Sequence, residues 1–163
     1  MLYEIGGSAV WIDPLADEGD ARFWDWADGR CAGREVVVLL TLRFHVRSTA
    51  TFRARYGAGA SAPAGVQPLP FPALDETMYW LPQARALVPG DRLLGGDGGS
   101  LALCPQSWLR YLEPSPTRAQ MREQLGVLTN LDVEAVLVSH GEPVLAGGRE
   151  AIARALAAEA DAQ

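Results

Sequence analysis

The sequence predicts a layered α/β or α+β sandwich, and three observations point to it. Residues 35–41 (EVVVLLT) form a continuous, β-branched run, the pattern of a strand buried on both faces. Residues 134–138 (EAVLV) repeat that pattern near the far end of the chain. Between them, 77–81 (TMYWL) and 86–88 (ALV) read as paired strands, while helical segments flank the outer two.

In chain order, a short strand runs from Ser8 and stops at Asp13-Pro14, since a residue before proline leaves the helical region. Asp20 caps a helix through Trp24 and Trp26 that breaks near Asp28-Gly29. After EVVVLLT and a loop over 42–47, Ser48 or Thr49 caps a second helix through Phe52 and Tyr56, with Gly57 as its stop. Residues 58–72 are rich in Ala, Gly and Pro and predict an extended surface loop around one short strand. A turn at Pro82-Gln83-Ala84 joins the paired strands. Arg92-Leu93-Leu94 then runs into the glycines of 95–99, a hairpin turn rather than an anion-binding nest, and Ser100–Leu103 resumes an extended pattern. Ser115-Pro116-Thr117 starts a helix to about Leu125, with the proline pre-set for its first turn. Residues 149–159 make a closing Ala-rich helix with Ile152 and Leu156 on one face. No repeat and no linker is visible, so one domain over 1–163 is expected.

Composition narrows the function. With 163 residues, 48% hydrophobic and 21% charged, the chain can bury a globular core. Net charge is -6 and all 14 basic residues are arginines scattered along the chain. That leaves no electrostatic footprint for nucleic acid or an anionic membrane. No apolar run approaches a membrane span, and Met1-Leu2-Tyr3-Glu4 lacks the start of a secretory signal. Cys31 and Cys104 are too few for a disulfide framework, so a reducing, cytoplasmic setting is expected. A dinucleotide glycine motif, a phosphate loop with lysine, a Gly-x-Ser-x-Gly elbow and a Cys-x-x-Cys pair are all missing. Cys104 can act as a nucleophile only with a histidine base beside it. With two histidines in all, no site can rest on several imidazoles.

Polar residues just past buried strand ends are where open α/β sheets meet ligands. Four such sets occur: Asp13; His45 with Arg47; Gly90-Asp91; and His140 with Glu142. Two imidazoles and a carboxylate converging from separate strand ends suit one Zn, Fe or Mn ion.

The order Ile12-Asp13-Pro14, then 38–41 (VLLT), a helix ending Arg55-Tyr56-Gly57-Ala58, then 87–91 (LVPGD) and last 136–144 (VLVSHGEPV) resembles the metallo-β-lactamase-fold superfamily. The likeness spans about residues 8–158, and its most specific pieces are the Gly-Asp step and Ser-His-Gly-Glu-Pro. It implies a four-layer αββα sandwich with a metal site at one edge of its sheets. It also implies chemistry that is mostly metal-assisted hydrolysis, with some dioxygen or redox reactions.

Carried over residue by residue, the implied ligand set is incomplete. Members follow the strand-ending Thr with His-x-His-x-Asp-His, whereas 41–47 here reads TLRFHVR. Leu42 and Phe44 stand at the first two histidine positions, Val46 at the aspartate and Arg47 at the last histidine; His45 is one residue out of register. No histidine lies between His45 and His140. Asp91 matches the metal-bridging aspartate, His140 the terminal histidine ligand, and Asp13 a structural aspartate. Leu42 and Phe44 are expected to plug the vacated pocket. Arg47, a fixed cation, repels a divalent ion.

Three functions follow as expectations. In the first, a degenerate member without cofactor binds a small anionic ligand through His45, Arg47, Asp91 and His140. In the second, His45, Asp91 and His140 hold a single Zn, Fe or Mn ion and hydrolyse an ester or phosphoester. In the third, an exposed edge or apolar patch forms a homodimer. Plainer roles stand beside them: His140 orienting a turn through Asp91 or Asp13, Asp91 as a type II turn residue, and His45 with Arg47 capping the following helix. The five tryptophans are expected to serve packing rather than a binding cage.

Overall fold

The computed structural model describes residues 1–161 and divides into two compact units, Met1–Val66 and the chain from Gln67 onward.

The first unit carries a three-stranded sheet. β1 (Leu2–Ile5) and β2 (Ser8–Ile12) form an antiparallel hairpin turned at Gly6 and Gly7, both at positive φ. No strand before Ser8 is expected from the pattern. β1 forms because its backbone is satisfied along β2, a tertiary gain that four residues of mixed polarity do not advertise. α1 (Ala21–Cys31) is capped by Asp20, whose carboxylate accepts the Phe23 N–H. It runs past Asp28-Gly29, where a break is expected. Trp24, Ala27 and Cys31 bury one face at helical spacing, and that outweighs the cost of about 1 kcal/mol for a mid-helix glycine. β3 (Glu35–Leu39) lies parallel to β2 with Ile12 opposite Leu39, so the carboxyl ends of both strands emerge side by side. α2 (Thr49–Tyr56) stops at Gly57, which takes the left-handed conformation and returns its N–H to the Arg53 carbonyl. Trp11, Trp24 and Phe52 meet at the centre, with ring centroids 4.7 Å apart for Trp11–Phe52 and 5.2 Å for Trp24–Phe52. These tryptophans pack as expected, while Trp26 is half-exposed.

In the second unit, β4 (Gln67–Phe71), β5 (Glu76–Leu81) and β6 (Ala86–Val88) form an antiparallel meander. Its two connections share one design. Pro72 and Pro82 each open a 3-10 turn that ends at a left-handed residue, Asp75 or Arg85, whose N–H closes on the proline carbonyl. β7 (Leu93–Gly96) and β8 (Ser100–Leu103) make the expected hairpin around the glycine run. α3 (Arg118–Leu125) begins two residues later than the sequence suggests. Thr117 is the cap, in a reciprocal capping box with Gln120, so Pro116 precedes the helix instead of lying in its first turn.

The 134–138 strand shrinks to β9 (Ala135–Val136), parallel to β6. Val136 exchanges both hydrogen bonds with Val144, so the chain folds back on itself eight residues later, and Leu137 and Val138 are only half-buried. α4 (Gly148–Asp161) buries Ala151, Ile152, Ala155 and Leu156, the face the sequence predicts. A core of Leu74, Met78, Leu87, Met121, Leu125 and Val136, among others, holds this unit together. No helix among the described residues is long and apolar enough to cross a membrane.

Candidate metal-binding residues

In the first unit, the paired ends of β2 and β3 build a buried polar network. Asp13, held by its N–H on the Leu39 carbonyl, turns its carboxylate toward the loop after β3. Oδ1 accepts the Thr41 N–H at 2.8 Å, and Oδ2 accepts the Thr41 hydroxyl at 2.5 Å and lies 2.8 Å from His45 Nδ1. Asp13, Thr41 and His45 are 8%, 2% and 3% exposed. An ionised carboxylate only accepts, so Nδ1 carries the ring proton. In the neutral ring that leaves the lone pair on the other nitrogen, Nε2. This carboxylate–imidazole arrangement orients and strengthens a histidine ligand.

The loop itself corrects one expectation. Arg43–His45 is a 3-10 turn, in which residues three apart share a side. Leu42 and His45 therefore point inward together, each 3% exposed, whereas Phe44 is 54% exposed and plugs nothing. Val46 is also exposed, and the Arg43 guanidinium stacks over the Phe44 ring at 4.9 Å. His45 and Arg47 differ sharply in setting. The imidazole is buried on Asp13, while Arg47 is exposed with a backbone φ of 27°. His45 does not cap α2, whose cap residue is Ser48.

In the second unit, Asp91 and His140 come together, with His140 Nε2 3.3 Å from Asp91 Oδ1. The two groups are at ion-pair distance, and no hydrogen bond joins Asp91 Oδ1 to the ring. The His140 side chain is about half exposed, and Trp108 sits edge-on to its ring at 5.9 Å. The backbone around it is fixed: the Gly95 N–H bonds the His140 carbonyl at 2.9 Å, and Gly141 takes positive φ. Glu142 is exposed.

Sequence reasoning misses Glu76, although a lone acid opening the otherwise apolar strand ETMYWL is a signal. Its buried carboxylate accepts three consecutive backbone N–H groups, from Gly90 at 3.1 Å, Asp91 at 2.9 Å and Arg92 at 3.1 Å. Buried Arg92 lies 3.9 Å away and donates to the Leu74 carbonyl and the Tyr111 hydroxyl. Burial pushes the Glu76 carboxyl up to about 7, outweighing the opposing pull of Arg92 and the three amides. The folded chain therefore holds this proton more tightly than the unfolded chain, whose carboxyl titrates near 4.5. The resulting stability is complete below about pH 4.5 and is lost as pH rises to about 7, in total about 3 kcal/mol. Urea unfolding in chelator across that window is expected to show the slope, and Glu76→Gln to flatten it.

No family model and no curated protein matches the sequence. Solved structures do. The DIM-1 metallo-β-lactamase aligns with 99% of this chain and 86% of its own, at TM-score 0.63 and 15% identity. A metallo-β-lactamase from Erythrobacter litoralis aligns with 98% of this chain and 83% of its own, at TM-score 0.57 and 16% identity. An NDM_FIM-1-like metallo-β-lactamase of the same organism, in its mono-zinc form, gives the same figures. At these identities the likeness speaks for the fold.

Proposed function

We propose that this metallo-β-lactamase-fold chain binds one divalent metal ion and uses it on an ester or phosphoester, with Asp91 and His140 among its ligands. The observation that carries this reading is the Asp91–His140 pair, a carboxylate oxygen and an imidazole nitrogen 3.3 Å apart on a fixed backbone. A carboxylate there presents negative charge, which favours a cation over the small anionic ligand. His45, the third donor of the sequence reading, belongs to the other unit, where Asp13 sets its ring. Leu42, Phe44, Val46 and Arg47 offer no donor, so one ion is proposed and not two.

An ion at these donors would supply Lewis-acid activation. The chain's own residues have separate tasks. Asp13 and Thr41 hold the His45 ring in one unit, and Asp91 and His140 would hold the ion in the other.

Metal analysis of protein purified without chelator tests the reading. Roughly one zinc, iron or manganese ion per chain is expected, lost in His140→Ala and in Asp91→Ala. Metal-free protein that also fails to take up added zinc refutes it, as does a stoichiometry of two.

A further inference from the structure

The candidate site leaves one buried charged group without a task. Glu76 stands at the start of β5, yet its carboxylate is spent on the backbone of the Gly90-Asp91-Arg92 step and not on a side-chain partner in hydrogen-bond range. Three successive N–H groups converging on one carboxylate fix the φ/ψ of that step, as a bound anion fixes a nest. The residue so fixed is Asp91, whose Oδ1 faces His140 Nε2. On the other side, His140 is held through its carbonyl by Gly95. The imidazole thus has an anchor in the β7 hairpin, and the carboxylate has one in β5.

We infer that Glu76 is a positioning residue for the metal site: its carboxylate sets the Asp91 backbone, and through it the bite between Asp91 and His140. This rests on the metal reading above. A role in folding alone predicts that Glu76→Gln weakens the unit without a specific effect on metal. A positioning role predicts more, because an amide presents one oxygen and one NH₂ group to three donors and must turn at least one of them away.

The test measures zinc affinity by competition with a chromophoric chelator. Wild type, Glu76→Gln, Glu76→Asp and a core control, Leu128→Ala, are compared; Leu128 is fully buried in the same unit. Glu76→Gln is expected to lose about 10- to 100-fold in affinity, the range for an outer-sphere partner. The control, with a comparable loss of stability, is expected to change less than about threefold. Cobalt substitution adds a second readout, an altered visible spectrum in Glu76→Gln but not in the control. Equal affinity in Glu76→Gln and control overturns the inference and leaves the metal reading standing. A wild-type chain that binds no zinc overturns both. If neither Glu76 variant folds, the wild-type amide signals of Gly90, Asp91 and Arg92 decide: zinc must shift them together, and their indifference to zinc sinks the idea.

Discussion

Replacing Asp13 by alanine is expected to lower the unfolding free energy by about 3–5 kcal/mol, read from the urea midpoint at unchanged slope. The size follows from what is stranded. The Thr41 N–H, the Thr41 hydroxyl and the His45 Nδ1–H all lie within hydrogen-bond distance of this one carboxylate, in a site where each residue is at most 8% exposed. Asp13 also has a left-handed φ of 47°, which alanine tolerates less well than aspartate. Asp13→Asn separates the two roles of the group. It keeps the shape and one acceptor for Thr41, but its NH₂ opposes the His45 Nδ1–H and drives the ring proton to Nε2. A smaller stability loss is expected there, with the change of tautomer read from the imidazole nitrogen shifts. An alanine variant within about 1 kcal/mol of wild type contradicts the buried network.

Gly95→Ala is expected to cost at least about 3 kcal/mol, at the upper end of overpacking penalties. A Cβ at Gly95 sits 1.9 Å from the Glu142 carbonyl oxygen, and one at Gly141 sits 1.9 Å from the Gly95 carbonyl oxygen. Both obstacles are backbone, so no rotamer change relieves them. The edge of β7 and the loop after β9 cross with no room for a methyl group, and the same crossing carries the Gly95 N–H to the His140 carbonyl. Displacement of that loop moves His140 away from Asp91 and from Trp108, so a shift in tryptophan emission and a loss of zinc affinity should accompany the loss of stability. A Gly95→Ala protein that keeps both its stability and its zinc affinity removes this crossing as the support of His140.

Much of this is legible in the residues, and the failures share a cause. The β-branched run of β3, the Gly57 stop and the two helix faces around Phe52 and Ile152 are local signals, and each produces the element it predicts. The 42–47 loop is misread because the family resemblance puts Leu42 and Phe44 both at ligand positions facing the pocket. A 3-10 turn has a period of three, and it turns His45 inward beside Leu42 instead. The strand over 134–138 is overestimated because nothing local records that Val144 returns to pair with Val136.

By itself the sequence determined the order of strands and helices, the Gly-Asp and Ser-His-Gly steps at strand ends, and a ceiling of two imidazoles for any site. Only the tertiary structure decided that Asp13 grips His45, that Asp91 meets His140, and that Glu76 spends a buried charge on three amides. Helices and strands declare themselves through neighbours within a few residues. A carboxylate's partner is chosen by whatever groups the folded chain brings within 3.3 Å, 14 to 49 residues away in these cases, and no local pattern encodes that choice.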